Sequence, residues 1–80
     1  MKLISIITVN YNYSGVTDEF LDAFYRTNDY PNYEIIVVDN ASTINPVPAW
    51  KEKYPQVTFI RSETNLGFAG GNNLGIAKAN

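Results

Sequence analysis

The stretch that most constrains this chain is Glu34-Ile35-Ile36-Val37-Val38-Asp39-Asn40-Ala41-Ser42. Its apolar run is hydrophobic at both alternating positions. That pattern suits a strand covered on both faces, as in a parallel sheet, rather than a half-exposed strand of an antiparallel one. An acid, an amide, a small residue and a hydroxyl follow directly. Open α/β sheets bind ligands outside the carboxyl ends of their strands. Asp39, the first residue to leave the apolar run, is therefore the leading candidate for holding a small ligand. The alternative reading is structural: Asp39 caps a turn with Ser42.

The flanking segments fit such a sheet. Leu3 to Val9 reads as a first buried strand, and Asn10-Tyr11-Asn12-Tyr13-Ser14-Gly15 as a polar loop at its carboxyl end. Thr17 is the expected N-cap of a helix from Asp18 to Thr27, with Asp18 and Glu19 in its first turn and a hydrophobic staple between Val16 and Leu21. Phe20, Leu21, Phe24 and Tyr25 form its apolar stripe. Asn28-Asp29-Tyr30-Pro31-Asn32 is a turn cluster before the Asp39 strand. A βαβ unit results, expected to have parallel strands and a right-handed crossover. Pro48 starts a short helix that ends at Tyr54, ahead of Pro55, with Trp50 and Tyr54 covering the sheet together. Val57 to Arg61 is a third strand. Leu66 to Ala79 reads as a glycine-rich turn entering a third helix. Regular alternation of strand and helix predicts a doubly wound α/β layer.

Three polar clusters then follow three strands: Asn10-Tyr11-Asn12, Asp39-Asn40-Ala41-Ser42, and Asn65 through Asn73. Parallel strands bring all three to one rim. An aromatic and a carboxylate there suit a nucleoside: Tyr11 lies against base or ribose, and Asp39 accepts from a base N–H or a ribose hydroxyl. Gly67, Gly70 and Gly71 let backbone approach a phosphate, and the third helix offers free N–H groups at its start. Each has a structural counterpart: Tyr11 as a packing tyrosine, the glycines as backbone turns, Asn72 and Asn73 as ordinary first-turn helix residues. Neither G-x-G-x-x-G nor G-x-x-x-x-G-K-[ST] is present.

Composition removes other classes. The chain has 80 residues, a net charge of -2, and neither cysteine nor histidine. No Lys/Arg cluster offers a track for a nucleic-acid polymer. Without cysteine there is no disulfide framework or thiolate zinc site, and without histidine the usual general base is missing. The N-terminal apolar run is too short for a signal peptide or a spanning helix, so a cytoplasmic protein is the expectation.

Taken together, Val9-Asn10-Tyr11-Asn12, Val37-Val38-Asp39-Asn40-Ala41-Ser42 and Asn65-Leu66-Gly67-Phe68-Ala69-Gly70-Gly71-Asn72-Asn73-Leu74-Gly75 resemble family 2 glycosyltransferases of the GT-A fold, the third block most closely the rhamnosyltransferase-type members. The resemblance covers essentially the whole chain. It implies a Rossmann-like parallel sheet with flanking helices, a partial GT-A fold of three strands and three helices. It also implies a nucleotide-diphosphate-sugar site, with UDP- or TDP-linked donors. Asn10 and Tyr11 would border base and ribose, Asp39 with Asn40 beside it would meet the base, and Asn65, Gly70, Gly71, Asn72 and Asn73 would lie near ribose and diphosphate. The family continues with an Asp-x-Asp-like motif for Mg²⁺ or Mn²⁺, a carboxylate base and an acceptor-binding half, none of which occurs here. The sequence departs from the usual pattern at Thr43-Ile44-Asn45, where another acid commonly follows Ser42.

The expectation is thus the N-terminal nucleotide-binding segment (residues 1–80) of an inverting glycosyltransferase of polysaccharide or glycoconjugate synthesis. Its parent enzyme would act in the cytoplasm or at the inner face of a membrane. The segment itself would carry no catalytic residue, bind no metal alone and be inactive. The exposed edge of the first strand would draw chains into homo-oligomers. The alternatives are a non-catalytic nucleotide-binding module of Rossmann-like or flavodoxin-like form, and a ligand-free interaction domain.

Overall fold

A computed structural model describes residues 2–80. The elements run β1 (Ile4–Asn10), α1 (Ser14–Thr27), β2 (Tyr33–Asn40), α2 (Val47–Lys53), β3 (Thr58–Ser62) and α3 (Gly67–Lys78). The strands form one parallel sheet in the order β1-β2-β3. The central strand is the one with the uninterrupted apolar run, and Ile35, Ile36, Val37 and Val38 are all buried. Burial on both faces is what its pattern requires.

Residues aligned across a parallel sheet point to the same face. Ile35 and Val37 of β2 join Phe59 of β3 on one face and meet Leu21 of α1 and Val47 and Trp50 of α2, with Tyr54 and Val57 closing the same core. The indole of Trp50 stacks on Phe59 at 5.4 Å between ring centres. Tyr54 lies in the same core, so both aromatics cover the sheet as their spacing predicts. On the other face lies α3. Gly71 sits over Val9, and Gly75 sits over Ile7 and Val38. A Cβ on Gly75 would come within 2.5 Å of Ile7, so the absence of a side chain sets the closeness of helix and sheet here. Two helices on one face and the third on the other make the layer doubly wound.

The helix starts differ from expectation. α1 begins at Ser14, one turn before Asp18, and its N-cap position Tyr13 makes no side-chain capping bond. Thr17 is buried inside the helix, and its hydroxyl donates to Asn10 Oδ1 at 2.7 Å. That bond to the preceding strand takes the hydroxyl away from the capping role. Val16 is consequently helical and exposed, so no staple to Leu21 forms at a helix entry. α3 begins at Gly67, the first glycine of its run, with φ at +74°. Gly70 through Asn73 are therefore helical residues and not a turn. β2 extends through Asp39 and Asn40, which makes both of them strand residues facing opposite ways.

Candidate functional site

Register builds the rim. Asn10 lies beside Asp39, and Asp39 beside Arg61. Asp39 is fully buried. Its Oδ1 accepts from Asn10 Nδ2 at 2.9 Å and from the Ser42 hydroxyl at 2.6 Å. Its Oδ2 accepts from the Ser42 backbone N–H at 3.1 Å and from Arg61 Nη1. A carboxylate offers about four acceptor positions, so this one is saturated. Withdrawing an ionised carboxylate from water costs several kcal/mol unless donors and a cation replace the solvent. All of these replacements are present.

The same side chains tie the two neighbouring loops together. Ser42 Oγ accepts from the Asn12 backbone N–H at 2.9 Å, and Asn12 Oδ1 accepts from the Thr43 N–H at 2.8 Å. Arg61 Nη2 donates to the Ser42 carbonyl at 3.1 Å. Asn12 and Ala41 both hold positive φ, at 58° and 67°. Left-handed backbone disfavours a residue with a Cβ, so the hydrogen bonds around Ser42 and Thr43 hold these loops in a shape they would not adopt unaided. The capping role of Asp39 toward Ser42 is thus realised. In this state Asp39 presents no free acceptor at the surface.

One residue on, Asn40 faces the α3 side. Its Oδ1 accepts from the Leu66 N–H at 2.8 Å, and its Nδ2 donates to Asn65 Oδ1 and to the Gly67 carbonyl, both at 3.0 Å. Asn65 Oδ1 also accepts from the Gly67 N–H at 2.8 Å. These bonds fix the start of α3 against the end of β2. Above them opens a groove of about 340 Å³ lined by Val9, Tyr11, Tyr13, Asn40, Asn65, Gly67 and Phe68. Tyr11, Tyr13 and Phe68 are exposed, at 43%, 71% and 76%. Exposed rings around a polar floor form a platform on which a planar ligand stacks.

Asn10, Tyr11, Asp39, Asn40 and Asn65 therefore converge at the carboxyl ends of the strands. Gly70 closes the first turn of α3, and Gly71, Asn72 and Asn73 lie in the second. Of these, Gly71 is buried against Val9, Gly70 lies beside Leu66, Asn72 is half-buried and Asn73 is exposed. Gly71 has a close-packing reason to be glycine that is independent of any phosphate. Sequence reasoning overlooked Arg61 and Thr17 at the rim. The available signal for Arg61 was its alternation with Phe59, which directs both to one face. Among the described residues no group of three or more carboxylate, histidine or cysteine side chains could hold a metal ion.

Comparison with known proteins bears on this rim. The family model for "Glycosyl transferase family 2" matches residues 5–80. A glycosyltransferase of Haemophilus influenzae is 34% identical over 73 residues, covering 91% of this chain and 24% of that protein. The mannosyltransferase PcManGT from Pyrobaculum calidifontis, solved in complex with GDP-Man and Mn²⁺, superimposes with a TM-score of 0.81 at 30% identity, over 96% of this chain and 24% of its own. TarS of S. aureus, residues 1–349, superimposes with a TM-score of 0.80 at 27% identity, over 100% of this chain and 25% of its own. The chain thus spans about a quarter of the length of these relatives. The family match runs from within β1 past the end of α3 and takes in every residue of the rim, and on that ground the chain belongs to glycosyltransferase family 2.

Proposed function

We propose that this chain forms the donor-binding part of a glycosyltransferase and holds a nucleotide-diphosphate sugar across the carboxyl ends of β1, β2 and β3. The observation that carries the reading is the convergence of Tyr11, Asn40 and Asn65 around one open groove, directly beside the buried Asp39 cluster. Tyr11 supplies a ring for the base or ribose. Asn10 and Asp39 underlie the base position. At the start of α3 the Leu66 and Gly67 N–H groups are taken by Asn40 and Asn65, and the next N–H groups of the first turn are left for the diphosphate, with Asn65, Gly70 and Gly71 nearby. Asn72 and Asn73 follow on the same helix. Uracil or thymine is the expected base. The GDP-mannose bound by PcManGT supports a nucleotide-sugar donor of some kind.

The reaction is glycosyl transfer with inversion: an acceptor hydroxyl attacks the anomeric carbon and the nucleoside diphosphate leaves. Mg²⁺ or Mn²⁺ would offset the charge of that leaving group. The rim carboxylates of this chain do not fit such an ion, because Asp39 is saturated by donors and Glu63 stands alone at 84% exposure. No step is therefore assigned to a metal held by these residues. Family membership favours the transferase over a non-catalytic nucleotide module. The outer edge of β1 has no strand beside it among the described residues.

Calorimetric titration with UDP-, TDP- and GDP-linked sugars in the presence of Mn²⁺, on the wild type and on Tyr11→Ala, tests the site. Saturable binding that weakens in Tyr11→Ala is expected. Binding that ignores the substitution removes the ligand from this groove.

A further inference from the structure

The chain carries four Phe, one Trp and six Tyr. Only Tyr11, Tyr13 and Phe68 among them are exposed, and all three line the same groove at the carboxyl ends of the strands. Exposed apolar area gathered in one place marks a binding site. The nucleotide reading gives Tyr11 to the base or ribose. It leaves Tyr13, where the β1–α1 connection meets α1, and Phe68, in the first turn of α3, without a role. Among the described residues no Asp, Glu, Lys or Arg lines the groove. Its floor offers one oriented donor group. Asn65 Oδ1 accepts from Asn40 Nδ2 at 3.0 Å and from the Gly67 N–H at 2.8 Å, which fixes the carboxamide, and these bonds leave the Asn65 NH₂ over.

Two exposed rings and an amide donor, with no charge among them, match a neutral pyranose. Such a sugar has C–H groups on one face and hydroxyls at its rim. The C–H face lies against the electron-rich face of an aromatic ring, and a rim hydroxyl accepts from Asn65 Nδ2. A uronic acid or an amino sugar would give up the water around its charge and find no counter-ion in the lining. The donor's own sugar is delivered by its diphosphate tether, whereas an acceptor arrives free and needs contact area of its own. We propose that Tyr13 and Phe68 form an acceptor subsite, selective for a neutral hexose or 6-deoxyhexose, with Asn65 as its hydrogen-bond donor. The inference rests on the nucleotide-site reading above and adds an acceptor contact to a segment read so far as donor-binding.

The test is an NMR titration of the full-length protein, held at saturating nucleoside diphosphate (the tightest of UDP, TDP and GDP). The ligands are the methyl glycosides of glucose, galactose, mannose and rhamnose, with methyl glucuronide and methyl glucosaminide as charged controls. It is repeated on Tyr13→Leu and Phe68→Leu, which keep apolar bulk and lose the flat ring, and the nucleotide and its glucose conjugate are titrated alongside. At least one neutral glycoside is expected to saturate and to shift the Asn65 side-chain NH₂ signals. It should bind at least about threefold more weakly in each variant, the weight of one ring contact. The charged controls should bind at least about fivefold more weakly than the best neutral glycoside. Glycoside binding equal in wild type and variants overturns the proposal, as does a charged control that binds as well as the neutral sugars. Variants that weaken the nucleotide as much as the glycoside return the rings to the nucleotide. Variants that weaken only the glucose conjugate give them to the donor sugar. Either result overturns the acceptor assignment. Should a variant not fold, the wild type decides, and glycoside shifts that avoid Tyr13, Asn65 and Phe68 overturn the proposal. Nucleotide binding without glycoside binding sinks this inference alone. Failure of every nucleotide and glycoside to bind overturns the site reading, and this inference with it.

Discussion

Asp39 and Asn40 are neighbours on one strand, yet they anchor two unlike halves of the rim. Beneath Asp39 the polar groups are sealed and each acceptor is taken, with Asn10, Ser42 and Arg61 arranged around one carboxylate. Above Asn40 the groove is open, and the exposed rings of Tyr11, Tyr13 and Phe68 surround it. Strand alternation separates them, sending successive side chains to opposite faces. On the α1/α2 side that means burial behind two helices. On the α3 side, Asn40 serves as a clamp for the helix start while the loops above stay exposed. The first half sets the shape of the rim, and the second supplies its accessible surface.

The sharpest way to break this contrast is to remove each anchor. Asp39→Ala leaves the Arg61 guanidinium and three buried donors without their acceptor, and should cost about 3–5 kcal/mol in denaturant unfolding. Asn40→Ala removes neutral bonds only and should cost about 1–3 kcal/mol. Equal losses would erase the distinction. On the α3 side, Gly75→Ala drives a Cβ to 2.5 Å from Ile7 and should cost about 1–3 kcal/mol through overpacking. Gly15 in α1 has nothing within 4 Å of a Cβ, so Gly15→Ala should stabilise by about 0.5–1 kcal/mol through helix propensity alone. Thermal unfolding of the two variants in opposite directions is the expected outcome.

Smaller effects sharpen the division between support and surface. Tyr11→Ala should change stability by no more than about 0.5 kcal/mol, as an exposed site does. It should nevertheless weaken nucleotide binding by the roughly 1–3 kcal/mol of a lost stacking partner. Far from the rim, burial and then the neighbouring Tyr33 push the Tyr25 hydroxyl up to about 12 from its ordinary 10.0. The unfolded chain releases that proton first. This contribution to stability is therefore intact below pH 10.0 and lost as pH rises toward about 12. Alkaline unfolding of Tyr25→Phe should be less steep across that window, and an unchanged slope would assign the loss to other groups.

Much of this was legible beforehand. The run from Ile35 to Val38 announced a strand buried on both faces, and Trp50 and Tyr54 announced the helix that covers it. Their patterns are local, and burial follows from them directly. The parts that escaped depend on partners distant in sequence. Thr17 looks like a helix cap until Asn10, on the preceding strand, takes its hydroxyl. Gly71 looks like a turn glycine until the sheet lies against it. The saturation of Asp39 required Arg61, and which residue of β3 stands beside Asp39 is a matter of register that no single strand encodes.

The central claim is that ligand binds at the carboxyl ends of the strands, on a surface shaped by the Asp39 cluster. An amide chemical-shift titration of ¹⁵N-labelled protein with UDP addresses it most directly. Shifts concentrated at Tyr11, Asn12, Asn40, Asn65 and Gly67 are predicted, with Glu34 and Asn80, which bond each other at the opposite end of the sheet, unmoved. Shifts centred on Glu34 and Asn80, or none at the rim at saturating nucleotide, would contradict it.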